Sequence, residues 1–103
     1  MSRKQSKEQF KARVYVWADK LDVQIQSLAV RPMTNKWASF SSKGALNFNT
    51  DLLNLDRSLG EYVIVHELLH FRVPNHGKLW KSLMHAHLGD YEKLEARLKK
   101  HAI

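Results

Sequence analysis

The stretch His66–His76 reads HELLHFRVPNH, so it holds the pattern H-E-x-x-H and, six residues later, a third histidine. On an α-helix, residues four apart lie one turn apart on the same face, so His66 and His70 can present imidazole nitrogens to one ion. Glu67 is rotated by about 100° from His66 around the helix, which keeps its carboxylate off the ion but close to a water bound there. Three protein ligands with an open fourth position are typical of a catalytic zinc site.

The residues around the motif favour this interpretation over a chance match. The apolar run 62–65 precedes the motif and predicts that its helix is buried. Pro74 predicts the end of that helix, because proline disfavours the α conformation in the residue before it. The chain can then turn and bring His76 to the same ion. We therefore predict Zn²⁺ bound by the three histidines.

Composition limits the other interpretations. The chain has 103 residues and 44% hydrophobic residues, which predicts one folded domain over residues 1–103. It has no cysteine, which excludes disulfides and thiolate zinc ligands. There is no apolar run of membrane-spanning length, and the polar N-terminus lacks a signal peptide, so we expect a cytoplasmic protein with no membrane partner.

The chain carries a formal charge of +7, with 17 Lys and Arg residues against 10 Asp and Glu. Such a charge favours acidic partners, including nucleic acid. The basic residues are spread along the sequence, however, so a solvated basic surface is the simpler interpretation.

Hydrophobic periodicity predicts an α+β fold, with a small antiparallel sheet before the motif helix and further helices at the N-terminal and C-terminal ends. Ser6 and Gln9 form a capping box at the start of the first helix. The predicted helices span 6–21, 58–72, 77–88 and 90–101, and the predicted strands span 23–30, 36–40 and 45–49. The expected core-facing residues are Phe10, Val14, Trp17 and Leu21 in the first helix, and Leu79, Trp80, Leu83 and Met84 in the third.

Three stretches together resemble the YgjP-like metallopeptidase family, which is related to the SprT-like proteases. Residues 31–44 read RPMTNKWASFSSKG and are similar to the family segment R-x-M-x-x-x-W-G-S-C-S-S-x-G. Residues 62–70 read YVIVHELLH, and residues 74–80 read PNHGKLW. The likeness extends over about residues 25–95. Ala38 and Phe40 depart from the pattern, since they stand where the family usually has Gly and Cys.

The resemblance implies a minimal zincin-like domain that hydrolyses polypeptides, with the small sheet packed on the active-site helix. It matches His66, His70 and His76 to the zinc ligands and Glu67 to the general base. It also implies an N-terminal substrate-binding region shorter than is usual for the family.

Several alternatives stay open at this point. Glu92 or Glu95 could replace His76 as the third ligand. The donor to a developing oxyanion could be Tyr62, Tyr91, His85 or His87. We expect the strand 45–49 to be a sheet edge that aligns an extended peptide. The alternative functions are a nucleic-acid-associated protease or binding factor of the SprT-like kind, and a latent or non-catalytic metal-binding domain.

Overall fold

The structure is a computed structural model that describes residues 5–41, 43–73 and 75–101. Its elements, in chain order, are α1 (Lys7–Leu21), β1 (Ser27–Arg31), β2 (Ala38–Phe40), β3 (Ala45–Asn49), a short 3₁₀ helix (Thr50–Asn54), α2 (Arg57–Leu69), α3 (Lys78–Leu88) and α4 (Tyr91–Lys99). The predicted α+β class is confirmed. In this part of the chain, no helix combines the length and the hydropathy that a membrane span requires.

Helix α1 begins as its sequence predicts. The Ser6 hydroxyl accepts from the backbone N–H of Gln9, and the Gln9 side chain accepts from the backbone N–H of Ser6. This capping box satisfies amide groups that the first turn of a helix otherwise leaves unpaired. The helix buries the predicted apolar stripe, namely Phe10, Val14, Trp17 and Leu21.

The sheet differs from the prediction in its pairing. Its strand order is β1-β3-β2, with β2 antiparallel to β3 but β1 parallel to β3. The expectation of a wholly antiparallel sheet is therefore wrong for β1. Parallel neighbours need a crossover of about a dozen residues, and residues 32–44, which include β2, supply it. Because β3 lies in the centre, the prediction that 45–49 forms a sheet edge is also wrong.

Two strands begin later than predicted because their first residues are engaged elsewhere. Asp22 adopts a left-handed conformation at the end of α1, and the N–H of Val23 bonds back to the Ala18 carbonyl at 2.8 Å. Before β2, the Asn49 amide donates to the carbonyls of Met33 and Lys36 at 3.1 and 2.9 Å. Asn49 is only 2% exposed, so it fixes the loop that leads into β2 from inside the protein.

Helix α2 is the central element of the core, as predicted. It packs on α1, α3, α4 and β2, and most of its residues are buried. Gly60 lets α1 approach closely, because a Cβ atom there would lie 3.1 Å from the buried ring of Phe10. The helix ends at Leu69 instead of the predicted Arg72. Pro74, to which we attributed that end, lies outside the described residues.

One of the four residues predicted to face the core from α3 does not do so. Trp80 and Met84 are buried, and Leu83 is partly buried, but Leu79 is 61% exposed. Residues 80 and 84 lie one turn apart on the inner face, whereas residue 79 is rotated by about 100° from residue 80 and faces solvent.

Candidate metal centre

The end of α2 brings the first two histidines together. After Leu69 the backbone tightens, because the N–H groups of His70, Phe71 and Arg72 bond three residues back, at 3.2, 3.1 and 3.0 Å. His70 keeps near-helical angles (φ −65°, ψ −18°), so it stays one turn from His66. Their ring centroids lie 4.9 Å apart.

His76 returns to this pair from the segment after the helix. The potential ligand nitrogens of His66, His70 and His76 all lie within 4.8 Å of one another. The Nε2 atoms of His70 and His76 are 3.0 Å apart. A tetrahedral ion with bonds of ~2.0–2.1 Å places neighbouring ligand atoms roughly 3.3–3.4 Å apart. The three imidazoles therefore fit one first-row divalent ion after small adjustments.

Burial keeps two of the imidazoles, those of His66 and His70, suited to bind a metal. Burial, with smaller effects of His70 and His76, lowers the pKa of His66 to about 4. Burial also lowers the pKa of His70, against the opposing effect of the Val73 carbonyl. That carbonyl lies 3.3 Å from His70 Nδ1, so a proton on Nδ1 leaves Nε2 free to accept an ion. Neutral imidazoles are the form that binds metals.

One buried ring nitrogen of His66, Nδ1, lacks a hydrogen-bond partner among the described residues. Buried polar atoms in proteins normally have partners, so such an atom calls for an explanation. A bound ion would give this atom a partner only if Nδ1, and not Nε2, is the ligand atom of His66.

Glu67 lies beside the histidines but outside the cluster. Its carboxyl group is largely desolvated, and this burial raises its pKa to about 7. This carboxyl group therefore lies in a poorly solvated position next to His66 in the sequence.

The indole ring of Trp80 contacts the imidazole rings of all three histidines. Its ring centroid lies 4.4 Å from that of His76, 5.1 Å from that of His66 and 6.1 Å from that of His70. Trp80 is only 3% exposed and contacts the ring of Tyr91 on another side. The indole therefore restricts the orientation of all three imidazoles, which metal ligation requires.

Two contacts that the sequence did not reveal hold the segment between His70 and His76. Arg72 donates to the Leu21 carbonyl at 3.1 Å and also to the carbonyl and the carboxylate of Asp22. Phe71 packs against Phe40 of β2, with ring centroids 4.4 Å apart. This segment is thus attached to α1 on one side and to the sheet on the other, and no local sequence pattern marks either contact.

A cavity of about 290 Å³ opens beside His66 and Glu67. Its other walls come from β2 and the residue before it, from α2, and from α4 and the residues after it. They are lined by Trp37, Ala38, Tyr62, Val63, Glu95, Leu98, Lys99 and His101. The Tyr62 hydroxyl donates to Glu95 at 3.0 Å. Burial, followed by the charge of Glu95, raises the pKa of Tyr62.

The lining of the cavity distinguishes between the candidate residues that the sequence left open. Of the four candidate oxyanion donors, Tyr62 shares the cavity with Glu67. Tyr91 packs on Trp80, and His87 contacts the ring of Trp17, while His85 is exposed. Among the described residues, the group of potential ligands contains His76 and neither Glu92 nor Glu95.

Comparison with known proteins gives the family of the chain. A family profile described as "YgjP-like, metallopeptidase domain" matches residues 1–101. The chain belongs to the YgjP-like family. The uncharacterized protein MJ0123 of Methanocaldococcus jannaschii is 35% identical to it over 77 residues, which cover 71% of this chain and 70% of the relative.

Two crystal structures of metallopeptidase zymogens share the fold. That of jannalysin from Methanocaldococcus jannaschii has a TM-score of 0.80 and 28% identity, and the match covers 88% of this chain and 94% of jannalysin. That of abylysin from Pyrococcus abyssi has a TM-score of 0.76 and 21% identity, over 88% of this chain and 92% of abylysin. The predicted zincin-like fold is confirmed, and the family assignment makes this YgjP-like chain a metallopeptidase that acts on polypeptides with a metal cofactor.

Proposed function

We propose that this YgjP-like chain is a zinc-dependent peptidase in which His66, His70 and His76 hold Zn²⁺ and Glu67 is the general base. The observation that supports this most strongly is the convergence of three imidazoles beside a desolvated carboxyl group. When bound, Zn²⁺ supplies a Lewis acid for the peptide carbonyl and a water that ionises near neutral pH.

In this proposal Glu67 transfers a proton from the attacking water to the leaving amine. A carboxylate whose pKa is raised to about 7 is a stronger base than an exposed one and still loses its proton near neutral pH. Its oxygen takes the proton of the attacking water and later gives it to the leaving amine. Tyr62 is our candidate donor to the developing oxyanion, because it lines the same cavity; its hydroxyl, which donates to Glu95, would exchange that acceptor for the oxyanion.

The substrate backbone pairs with β2, we propose, and not with β3. Ser41 donates to the Ala45 carbonyl, and Asn49 donates to the Trp37 carbonyl, at 2.9 and 2.8 Å. In an antiparallel pair these hydrogen-bonded positions alternate, so the backbone groups of Ala38 and Phe40 point away from β3. An extended peptide can bond to this free edge beside the cavity.

Proline substitution tests the edge. Ala38→Pro removes an outward N–H, which an edge strand tolerates, so we expect a folded protein with at least a tenfold higher KM. In Ser39→Pro the lost N–H faces β3, and we expect destabilisation instead. Full cleavage by folded Ala38→Pro would contradict pairing at this strand.

Glu67→Gln tests the proposed reaction. We expect this variant to retain Zn²⁺, measured by elemental analysis, and to lose at least a hundredfold in kcat on a peptide mixture, because the amide cannot accept the proton. His85→Ala, which removes an exposed histidine of α3, is the control and should retain both. Unchanged turnover in the Gln variant would refute the role of Glu67.

A pair of variants identifies the third ligand. His76→Ala should weaken Zn²⁺ binding at least tenfold, whereas Glu95→Gln should leave it within about twofold. The opposite result would assign the ligand to Glu95. Protein purified without a tag or added metal gives the cleanest measurement of native metal content, and therefore of the preference for zinc over other divalent ions.

Nucleic acid remains a second candidate partner because of the net charge of +7. Phosphate contacts make binding fall steeply with salt, so a titration with duplex DNA at 50 and 200 mM salt tests it. Absence of binding at the lower salt would leave a polypeptide substrate alone. Cytoplasmic location stays a prediction from the sequence.

A further inference from the structure

We infer that the cavity beside Glu67 receives a large apolar side chain of the substrate, next to the bond that is cleaved, and that an aromatic ring fits it best. This inference rests on the proposed peptidase function and goes further by naming the substrate class.

The position of the cavity links it to the reacting groups. His66 and Glu67 form part of its wall, and so does Ala38, whose outward backbone we assign to the substrate. A peptide that extends along β2 with its carbonyl near the histidines must therefore project a neighbouring side chain into this space. The cavity therefore lies on the path of the substrate peptide and is not a separate pocket.

The size of the cavity favours a ring. An apolar cavity of roughly 150 Å³ accommodates benzene, and this one measures about 290 Å³. It therefore admits a phenyl or an indole group. A methyl group would leave most of the space without contacts, and contacts that are not made contribute no dispersion energy.

The chemistry of the walls favours an uncharged side chain. Trp37, Ala38, Val63 and Leu98 provide apolar surface, and Val63 and Leu98 are buried. Aromatic side chains gain from such surface and from edge or offset contacts with an indole.

One of the two carboxylates that line the cavity, that of Glu95, already has two partners. Glu95 accepts the Tyr62 hydroxyl, and Lys99 lies 3.8 Å from the other Glu95 oxygen. A basic side chain of the substrate would compete with Lys99 for this carboxylate. An acidic one would meet two carboxylates, those of Glu95 and Glu67, against the one cation Lys99, which already pairs with Glu95. Neither charge therefore matches the cavity as well as an apolar ring does.

Binding of small inhibitors tests the inference without requiring turnover. We would titrate the metal-loaded protein by calorimetry with four succinyl hydroxamates that differ in one side chain: methyl, benzyl, carboxymethyl and aminobutyl. We expect the benzyl compound to bind at least tenfold more tightly than the methyl compound, and the carboxymethyl compound to bind most weakly. Equal affinities, or tightest binding of the aminobutyl compound, would overturn the inference.

A pair of variants on β2 locates the effect. Ala38→Val adds methyl groups on the cavity wall and suits a strand, so it should reduce the preference for benzyl over methyl at least fivefold. Ser39→Val is the matched control, because alternate residues of a strand face opposite sides, and it should keep the preference. If Ala38→Val does not fold, the four wild-type affinities still decide.

The outcomes separate the two proposals. If no hydroxamate binds in a metal-dependent way, the proposed function fails, and this inference fails with it. If all four bind in a metal-dependent way with the same affinity, the metal site stands and only the inference about the cavity fails.

Discussion

Replacing Glu67 with glutamine should stabilise the metal-free protein at alkaline pH while it abolishes activity. The folded protein raises the pKa of this carboxyl group from 4.5 to about 7, so between these values the folded state binds more protons than the unfolded state does. Stability is therefore lost as pH rises through this window. Below pH 4.5 the group is protonated in both states and contributes nothing.

The size of the effect follows from the pKa change. Moving the pKa from 4.5 to about 7 corresponds to at most ~3 kcal/mol of unfolding free energy above pH 7. Partial exposure of the side chain to water reduces this, and we expect a gain of about 1–2 kcal/mol for Glu67→Gln at pH 8. Near pH 4 the variant and the wild type should differ by less than about 0.5 kcal/mol.

Urea unfolding in EDTA, followed by tryptophan fluorescence from pH 4 to 8, measures this difference. His66 has a lowered pKa, so both proteins lose stability as pH falls from 6.5 towards about 4, and this loss cancels in the comparison. Glu92→Gln is the control: it removes an exposed carboxylate from the first turn of α4 and should destabilise by at most ~1 kcal/mol. A Glu67→Gln variant no more stable than the wild type at pH 8 would refute the argument.

Three further substitutions test how the site is held. Trp80→Ala should weaken Zn²⁺ affinity at least tenfold, as calorimetry can measure, and Trp80→Phe should retain most of it; equal losses would show that the flat ring is not what matters. Arg72→Met should reduce Zn²⁺ affinity several-fold and speed amide hydrogen exchange of residues 71–73, 75 and 76, whereas unchanged exchange would show that the contacts of Arg72 do not hold this segment. Asn49→Ala should lower the free energy of unfolding by about 2–4 kcal/mol, since it leaves two carbonyls without their buried donor; a loss under 1 kcal/mol would contradict this.

The elements that follow a local rule were predictable from the sequence. The capping box of Ser6 and the one-turn spacing of His66 and His70 depend on residues three or four apart, and both appear as predicted. Burial of α2 also followed from its apolar composition. The position of His76 was predicted from its reach along the chain, and it does lie with the other two histidines.

The features that depend on distant partners were not predictable. Strand β1 (residues 27–31) pairs in parallel with β3 (residues 45–49), although β2 lies between them in the sequence. The alternation of side chains within β1 does not encode the direction of this pairing. The contacts of Arg72 with Leu21 and Asp22 bridge about fifty positions of sequence. Local propensity carries no information about such pairs, and burial patterns give only the face of each element.

The three histidines lie within residues 66–76, so an unfolded chain keeps them close together. Closing so short a segment around an ion costs little entropy. Metals can also bind the histidines of an unfolded chain. Zn²⁺ should therefore raise the melting temperature less than its affinity for the folded site would imply. By the same reasoning, if the three histidines hold Zn²⁺ as proposed, a chain emerging during synthesis would bind the ion before α4 has packed against α2.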